Sequence, residues 1–438
     1  MRVVHLAAGA AGMYCGSCLH DCRLTAALRA QGRDAVLVPL YTPVRTDETD
    51  PSTPHVYYGG INVYLQQASA LFRHTPWLLD RLFDAPALLR AVGRLAARTG
   101  PAELGKLTAA VLAGERGPQR KELEKLVVGL RQLRPDLIYL PNLMFVGLAR
   151  RLKAALHVPL LCGLTGEDIF LDRLPPPYRA QVFDMIRAAA AGIDGFIALT
   201  DYYAHHAAVH FGLPVDRIHR IPLGIQTADF APAAGPPERP FTIGYLARIC
   251  AAKGLAELAH AFRVLRRTGR DCRLRAAGYL GGADRPYLER IRAELGAEDL
   301  DFEYRGEVTR AEKRQFLQSL HVLSVPTVYA ESKGLYAVEA LAAGVPVVQP
   351  AHGSFPELIE ATGGGLLYGP GDTEALVAHL ARLMDDTALR QRLAEQGRAA
   401  VHRDFTAARM ADAAWALYGR FVSSAHPPYD AASERHRC

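Results

Sequence analysis

The sequence predicts an α/β protein made of two Rossmann-like domains in tandem, each a doubly wound parallel sheet. Two observations carry that prediction. Short apolar runs alternate with amphipathic segments along nearly the whole chain, which is the pattern of repeated βαβ units. A break rich in proline and glycine, Ala231–Pro240, then divides the alternation into two halves. At 438 residues the chain is also too long for one ordinary core.

In the first half, residues 1–230, strands are expected at Val3–Ala8, Asp34–Leu40, Asp136–Pro141, Val158–Leu164 and Gly195–Thr200. After the linker at 231–240, the second half (241–405) offers Phe241–Ala247, Cys272–Gly278, Asp301–Glu307, Val322–Pro326, Val345–Pro350 and Gly365–Gly369. A last helix is expected at Thr406–Phe421 (domain bounds 406–422), and a polar, proline-containing stretch at 423–438 reads as a disordered tail. Residues Ala68–Glu115 interrupt the alternation with leucine- and arginine-rich helical sequence. There Arg90, Arg94 and Arg98 share one helix face, which fits either a surface helix or peripheral contact with an anionic membrane.

Composition removes several classes. Half the residues are hydrophobic and 22% are charged, so disordered and collagenous chains are excluded. A net charge of +6 over this length does not call for nucleic acid. Seven cysteines, an odd number, argue against a secreted disulfide framework. The opening MRVVHLAAGAAG has signal-like apolarity, but Gly9 and Gly12 interrupt it, and it is assigned to the first strand. With no run of 18 apolar residues, the expected location is cytoplasmic, with the inner membrane face as a peripheral alternative.

The most informative segment is Pro326–Pro350. A strand at Val322–Val325 runs through a loop into a helix starting near Gly334, with Glu331 before the helix and Glu339 in its second turn. Gly334 allows close backbone approach, and a helix N-terminus offers N–H groups to a phosphate. Carboxylates beside it suit vicinal sugar hydroxyls. Arg248 and Lys253 flank a second strand-to-helix loop, where two cations would compensate a diphosphate. Taken singly, each pattern also fits an ordinary helix start or solvated surface charges.

Together, Arg248, Lys253, Glu331-x7-Glu339, Gly334-Leu335 and Ala343-Gly344-Val345-Pro346 resemble the retaining family-4 glycosyltransferases of the GT-B fold, as do Pro135–Asn142, Asp194–Ala204 and Arg217–Phe230. The resemblance implies two domains facing across a cleft. The N-terminal domain would bind the acceptor and the C-terminal domain a UDP-, GDP- or ADP-sugar. It implies that Arg248 and Lys253 contact the diphosphate, that backbone at Gly334 and Leu335 adds phosphate contacts, that Glu339 holds the ribose and that Glu331 holds the transferred sugar. It implies retention of configuration with neither metal nor cofactor, the departing phosphate receiving the acceptor proton. The final helix would cross back onto the first domain.

Two departures stand out. Lys333 occupies a position usually aromatic in the family. Where the first domain often supplies a histidine, this chain has Gly166, Glu167 and Asp168, and either acid is a candidate for orienting the sugar or acceptor; Asp168 as a helix cap is the plain alternative. Near the start, Gly9, Gly12 and Gly16 follow a strand and precede a helix, so Gly12 and Gly16 are candidates for backbone contact with a ligand. Their spacing is not G-x-G-x-x-G, and the second strand ends at proline rather than an acid, against a dinucleotide site. Cys15, Cys18 and Cys22 with His20 form C-x2-C-x-H-x-C, open to packing, pocket lining or metal and redox chemistry. Competing functions are a glucan synthase, to whose glycogen-synthase relatives Tyr57–Phe72 bears a faint resemblance, a hydrolysing nucleotide-sugar epimerase, and a catalytically dead sugar-binding protein.

Overall fold

A computed structural model describes residues 1–9, 16–44, 51–53, 63, 66, 101–230 and 239–425. It contains two six-stranded sheets, parallel throughout. The first comprises β1 (Arg2–Ala7), β2 (Asp34–Pro39), β3 (Leu137–Leu140), β4 (Leu160–Leu164), β5 (Gly195–Ala198) and β6 (Ile218–Arg220), in the order β2-β1-β3-β4-β5-β6. The second comprises β7 (Phe241–Leu246), β8 (Cys272–Ala277), β9 (Phe302–Tyr304), β10 (Val322–Leu323), β11 (Val347–Pro350) and β12 (Gly365–Tyr368), in the order β12-β11-β10-β7-β8-β9.

All eleven strands expected from sequence form. The twelfth, β6, escaped notice because Ile218-His219-Arg220 has a half-exposed, polar edge composition rather than an apolar run. The strand expected at Val322–Val325 ends at Leu323, because Val325 N–H donates to the Gln349 side chain rather than to a neighbouring strand.

Central strands are buried on both faces, as parallel sheets require. Their residues alternate between two cores: Val3, Leu137, Tyr139 and Leu161 pack on one face, while Val4, Ile138, Leu140 and Leu160 pack on the other. The first of these faces is covered by α1 (Gly16–Ala30) together with the last helix, Ala407–Ala425. That last helix buries Ala407, Met410, Ala411, Ala414, Leu417 and Tyr418, a single stripe at helical spacing. Its Tyr418 hydroxyl meets His5 Nε2 at 3.1 Å, and His5 Nδ1 meets Thr25 Oγ1 at 3.0 Å. A chain segment that follows the second sheet thus completes the core of the first. Ser423–Ala425, placed in a tail by the sequence reading, are its last helical residues. Residues 426–438, most of the linker and the Arg90–Arg94–Arg98 segment lie outside the described residues.

The strand order turns back between β7 and β10. In open parallel sheets, ligands lie at the carboxyl ends of strands beside such a reversal. No helix among the described residues is long and apolar enough to cross a membrane.

Candidate active site

The loops leaving β7 and β10 open into a cavity of about 280 Å³, walled on its other side by α1 and the loop after β4. Arg248, Lys253, Glu331, Leu335 and Glu339 line it from the second sheet; Gly16, Ser17, Thr165 and Gly166 line it from the first.

After β7 the chain passes Arg248 and a single 3-10 turn holding Lys253, then enters the helix Leu255–Arg267. The buried Tyr245 hydroxyl donates to the Arg248 carbonyl at 3.0 Å and fixes this loop from beneath. The Arg248 guanidinium contacts Cys250 Sγ at 3.6 Å and makes no ion pair among the described residues. Lys253 is different. Its Nζ lies 2.5 Å from Glu331 Oε2 and about 5 Å above the rings of Tyr329 and Tyr336.

Glu331 follows β10 and is clamped by its own backbone: Ser354 N–H donates to the Glu331 carbonyl at 2.7 Å. Its carboxylate accepts the Ser332 N–H at 3.1 Å, and the Tyr336 hydroxyl donates to it at 3.2 Å. Burial by itself would raise this carboxyl, yet Lys253, with Lys333 beyond it, outweighs burial and holds it below its ordinary value. It is therefore ionised at neutral pH. Gly334 then caps the helix Leu335–Ala342 in the left-handed conformation, φ +67°, a backbone that favours glycine. One and a half turns on, Glu339 Oε1 meets Arg23 Nη2 at 2.6 Å and Lys313 Nζ at 2.9 Å. All three side chains are at least 94% buried.

Arg23 belongs to α1, so this contact joins the two halves. Others lie beside it. Lys333 Nζ donates to Ser17 Oγ at 2.8 Å, and Thr200 Oγ1 donates to the Ser332 carbonyl at 3.2 Å. At Gly166, φ +93°, a Cβ would stand 2.5 Å from Ser332 Oγ, so close approach of the two walls requires glycine here.

The neighbouring acids do not share this setting. Glu167 accepts the Leu143 N–H at 3.1 Å and the Thr165 N–H at 2.7 Å. Burial raises its carboxyl despite those amides. Asp168 accepts the Tyr203 hydroxyl at 2.7 Å and lies 3.2 Å from His206 Nε2. Neither lines the cavity. Asp168 makes no capping bond either: the short helix Asp168–Leu171 has Glu167 at its N-cap and no side-chain cap.

Gly16 lines the cavity at the start of α1, whereas Gly12 and Cys15 lie outside the described residues. Cys18 and Cys22 are buried with Ala7, Leu37 and Val44 in a small apolar cluster. Among the described residues, no group of histidine, cysteine and acidic side chains could hold a metal ion. Sequence reading missed Arg23 and Lys313. A signal for the second was present: Lys313 shares the buried face of its helix with Phe316 and Leu317, an unusual place for a cation.

Two family descriptions match the chain and meet end to end: Glycosyltransferase Family 4 over residues 107–229 and Glycosyl transferases group 1 over residues 227–400. Among curated proteins, the chain is 29% identical over 241 residues to an MMP alpha-(1->4)-mannosyltransferase of Mycolicibacterium hassiacum, covering 55% of this chain and 57% of that protein. It is also 29% identical over 272 residues to a D-inositol 3-phosphate glycosyltransferase of Pseudarthrobacter chlorophenolicus, covering 60% and 61% respectively. The matched region thus spans somewhat over half the length of these two relatives. Among solved structures, the fold is similar to a sucrose-phosphate synthase from Thermosynechococcus elongatus, with TM-score 0.69, 17% identity and coverage of 97% of this chain and all of that one. It is likewise similar to Anabaena HepE solved with UDP-glucose, with TM-score 0.64, 17% identity and coverage of 96% and 100%. With two parallel sheets, a cavity between the loops of the two and both family descriptions matched in order, the chain belongs to the family-4 glycosyltransferases of the GT-B fold.

Proposed function

We propose that this chain transfers a sugar from a nucleoside-diphosphate donor to an acceptor hydroxyl, with retained anomeric configuration and without a metal ion. The observation that supports this best is the arrangement of charge in one cavity. Arg248 and Lys253 line it beside Glu331 and Glu339, all on loops or a helix start beside the strand reversal. HepE was solved with UDP-glucose, and a donor of that class fits this charge pattern.

Arg248 and Lys253 would face the diphosphate. Two fixed cations stabilise the departing nucleoside diphosphate as the glycosidic bond breaks, the task a divalent ion performs elsewhere. Each charge-assisted contact contributes about 1.5–3 kcal/mol. Glu331 would accept hydroxyls of the transferred sugar and stabilise positive charge growing at its anomeric carbon. Glu339 would accept ribose hydroxyls. The departing phosphate would take the acceptor proton, so no protein nucleophile is required. In place of a direct catalytic role, Glu167 would hold the backbone of the loop that carries Gly166, and Asp168 would anchor that loop to Tyr203 and His206.

Incubation with UDP-, GDP- and ADP-sugars, scored for release of nucleoside diphosphate with and without sugar acceptors, tests the reading. Acceptor-dependent release that survives excess chelator is expected. No release from any donor would contradict the transferase assignment, and loss with EDTA that a divalent ion restores would contradict metal independence.

A further inference from the structure

Of the lysines lining the cavity, Lys253 and Lys313 each stand within 3 Å of a glutamate. Lys333 does not. Its Nζ points across the cleft to Ser17 Oγ, 2.8 Å away, and it has no carboxylate partner among the described residues. Glu331, two residues earlier, accepts the Lys333 backbone N–H at 3.4 Å through Oε1 and pairs with Lys253 through Oε2. Its charge is met only in part, by a Glu331 carboxylate already paired with Lys253, and a half-buried ammonium in that position gains from a further anion.

A second observation lies on the facing wall. His20 sits three residues after Ser17 and four after Gly16, on the same face of α1 as those two cavity-lining residues. Its side chain is 97% buried, and Nδ1 has no hydrogen-bond partner among the described residues. Buried polar atoms are normally satisfied, so an orphan here points to a ligand atom. Burial foremost, with Lys333 next, holds its imidazole down at about 3, so it serves as a neutral donor while Lys333 supplies the charge. Ser17, accepting from Lys333, keeps its own proton to donate. The first turn of α1 carries no acid to oppose an anion.

We propose that Ser17, His20 and Lys333 form an anion subsite on the acceptor side of the cavity, so that the acceptor sugar or polyol carries a phosphate or carboxylate group. The assignment rests on the transferase reading. Lys333 bonds across the cleft to Ser17 of the first domain, whereas Lys253 turns to Glu331 and Arg248 to Cys250 within the second, and so Lys333 serves a charge other than the donor diphosphate.

Calorimetry on the full chain tests it. UDP, GDP and ADP are titrated first. With the preferred diphosphate saturating, glucose 6-phosphate is then compared with glucose. The wild-type chain should bind the phosphorylated sugar at least tenfold more tightly. Lys333→Met should cut that preference below threefold and leave affinity for the nucleoside diphosphate within threefold, while Lys333→Arg keeps the preference. Equal binding of the two sugars by the wild-type chain would overturn the subsite. So would a tenfold loss of nucleoside diphosphate affinity in Lys333→Met, which would assign this lysine to the donor. A Lys333-dependent tenfold preference for a nucleoside-diphosphate uronate over the matching hexose would move the charge to the transferred sugar and overturn the acceptor assignment. Failure of every diphosphate to bind would instead defeat the transferase reading, and the two sugars would still be compared on nucleotide-free protein.

Discussion

Each sheet carries a pair of acids beside the cavity, one pair lining it and the other set behind it, and the pairs behave in opposite ways. On the second-sheet wall, Glu331 and Glu339 each face a cation within 3 Å. On the first-sheet side, Glu167 faces backbone amides and Asp168 faces a tyrosine and a histidine, with no ion pair to a lysine or arginine at either among the described residues. Both Glu331 and Glu167 are buried, yet the first is held below its ordinary value and the second is pushed above it. Burial is common to both, so the difference comes from the lysine. An acid made to meet ligand hydroxyls needs a partner that keeps it ionised after water has gone; an acid made to fix a loop needs only N–H groups.

Breaking the cation-supported wall should have the largest effect. Glu339→Ala would leave Arg23 and Lys313 buried without this carboxylate, and loss of one partner from a buried ion pair destabilises by about 3–5 kcal/mol. Chemical denaturation should register that loss, and a change under 1 kcal/mol (roughly, by the same comparison) would show the pair to be far weaker than its geometry suggests. Glu167→Gln is milder. It turns an amide N–H₂ toward backbone N–H groups and should cost about 1–3 kcal/mol in stability. Nucleoside diphosphate affinity should stay within about twofold, since the side chain does not line the cavity. A larger loss would place Glu167 on the ligand.

The smallest effect belongs to Asp168 and His206. The hydrogen bond to Asp168 raises His206, over an opposing contribution from burial. Burial favours the neutral form of Asp168, but hydrogen bonds from His206 and Tyr203 bring its carboxyl below its ordinary value. The pair's contribution is therefore full between the two ordinary values, 3.8 and 6.5. It is lost as pH falls through the lowered aspartate and as pH rises through the raised histidine. In Asp168→Asn, NMR titration should find the His206 midpoint lower than in the wild-type chain. An unchanged midpoint would mean that the two side chains do not meet in solution.

Much of this was legible in the sequence, for a physical reason. A parallel strand buried on both faces must be an apolar run, so the central strands announced themselves, while the edge strand Ile218–Arg220, with a single apolar residue, did not. The cavity-lining residues of the second sheet stand in the loops and the helix that follow two adjacent strands, so short sequence motifs captured Arg248, Lys253, Glu331 and Glu339 together. Arg23 is separated from Glu339 by 316 residues and lies in a helix buried continuously from Cys18 to Thr25; nothing local marks its partner. Glu167 and Asp168 were visible as acids in the right loop, but which way each pointed depended on Leu143, Tyr203 and His206, brought in by other elements.

The central claim is that Glu331 and Glu339 serve different parts of one donor, and calorimetry paired with initial rates tests it most directly. The ribose is present in both the donor and the free nucleoside diphosphate, so Glu339→Ala should weaken both together, by about 1–3 kcal/mol beyond any effect on folding. The transferred sugar is absent from the free diphosphate. Glu331→Ala should therefore abolish most turnover while binding of the free diphosphate stays within about threefold. If Glu331→Ala weakens the free diphosphate as much as Glu339→Ala does, the division of roles between the two glutamates is wrong.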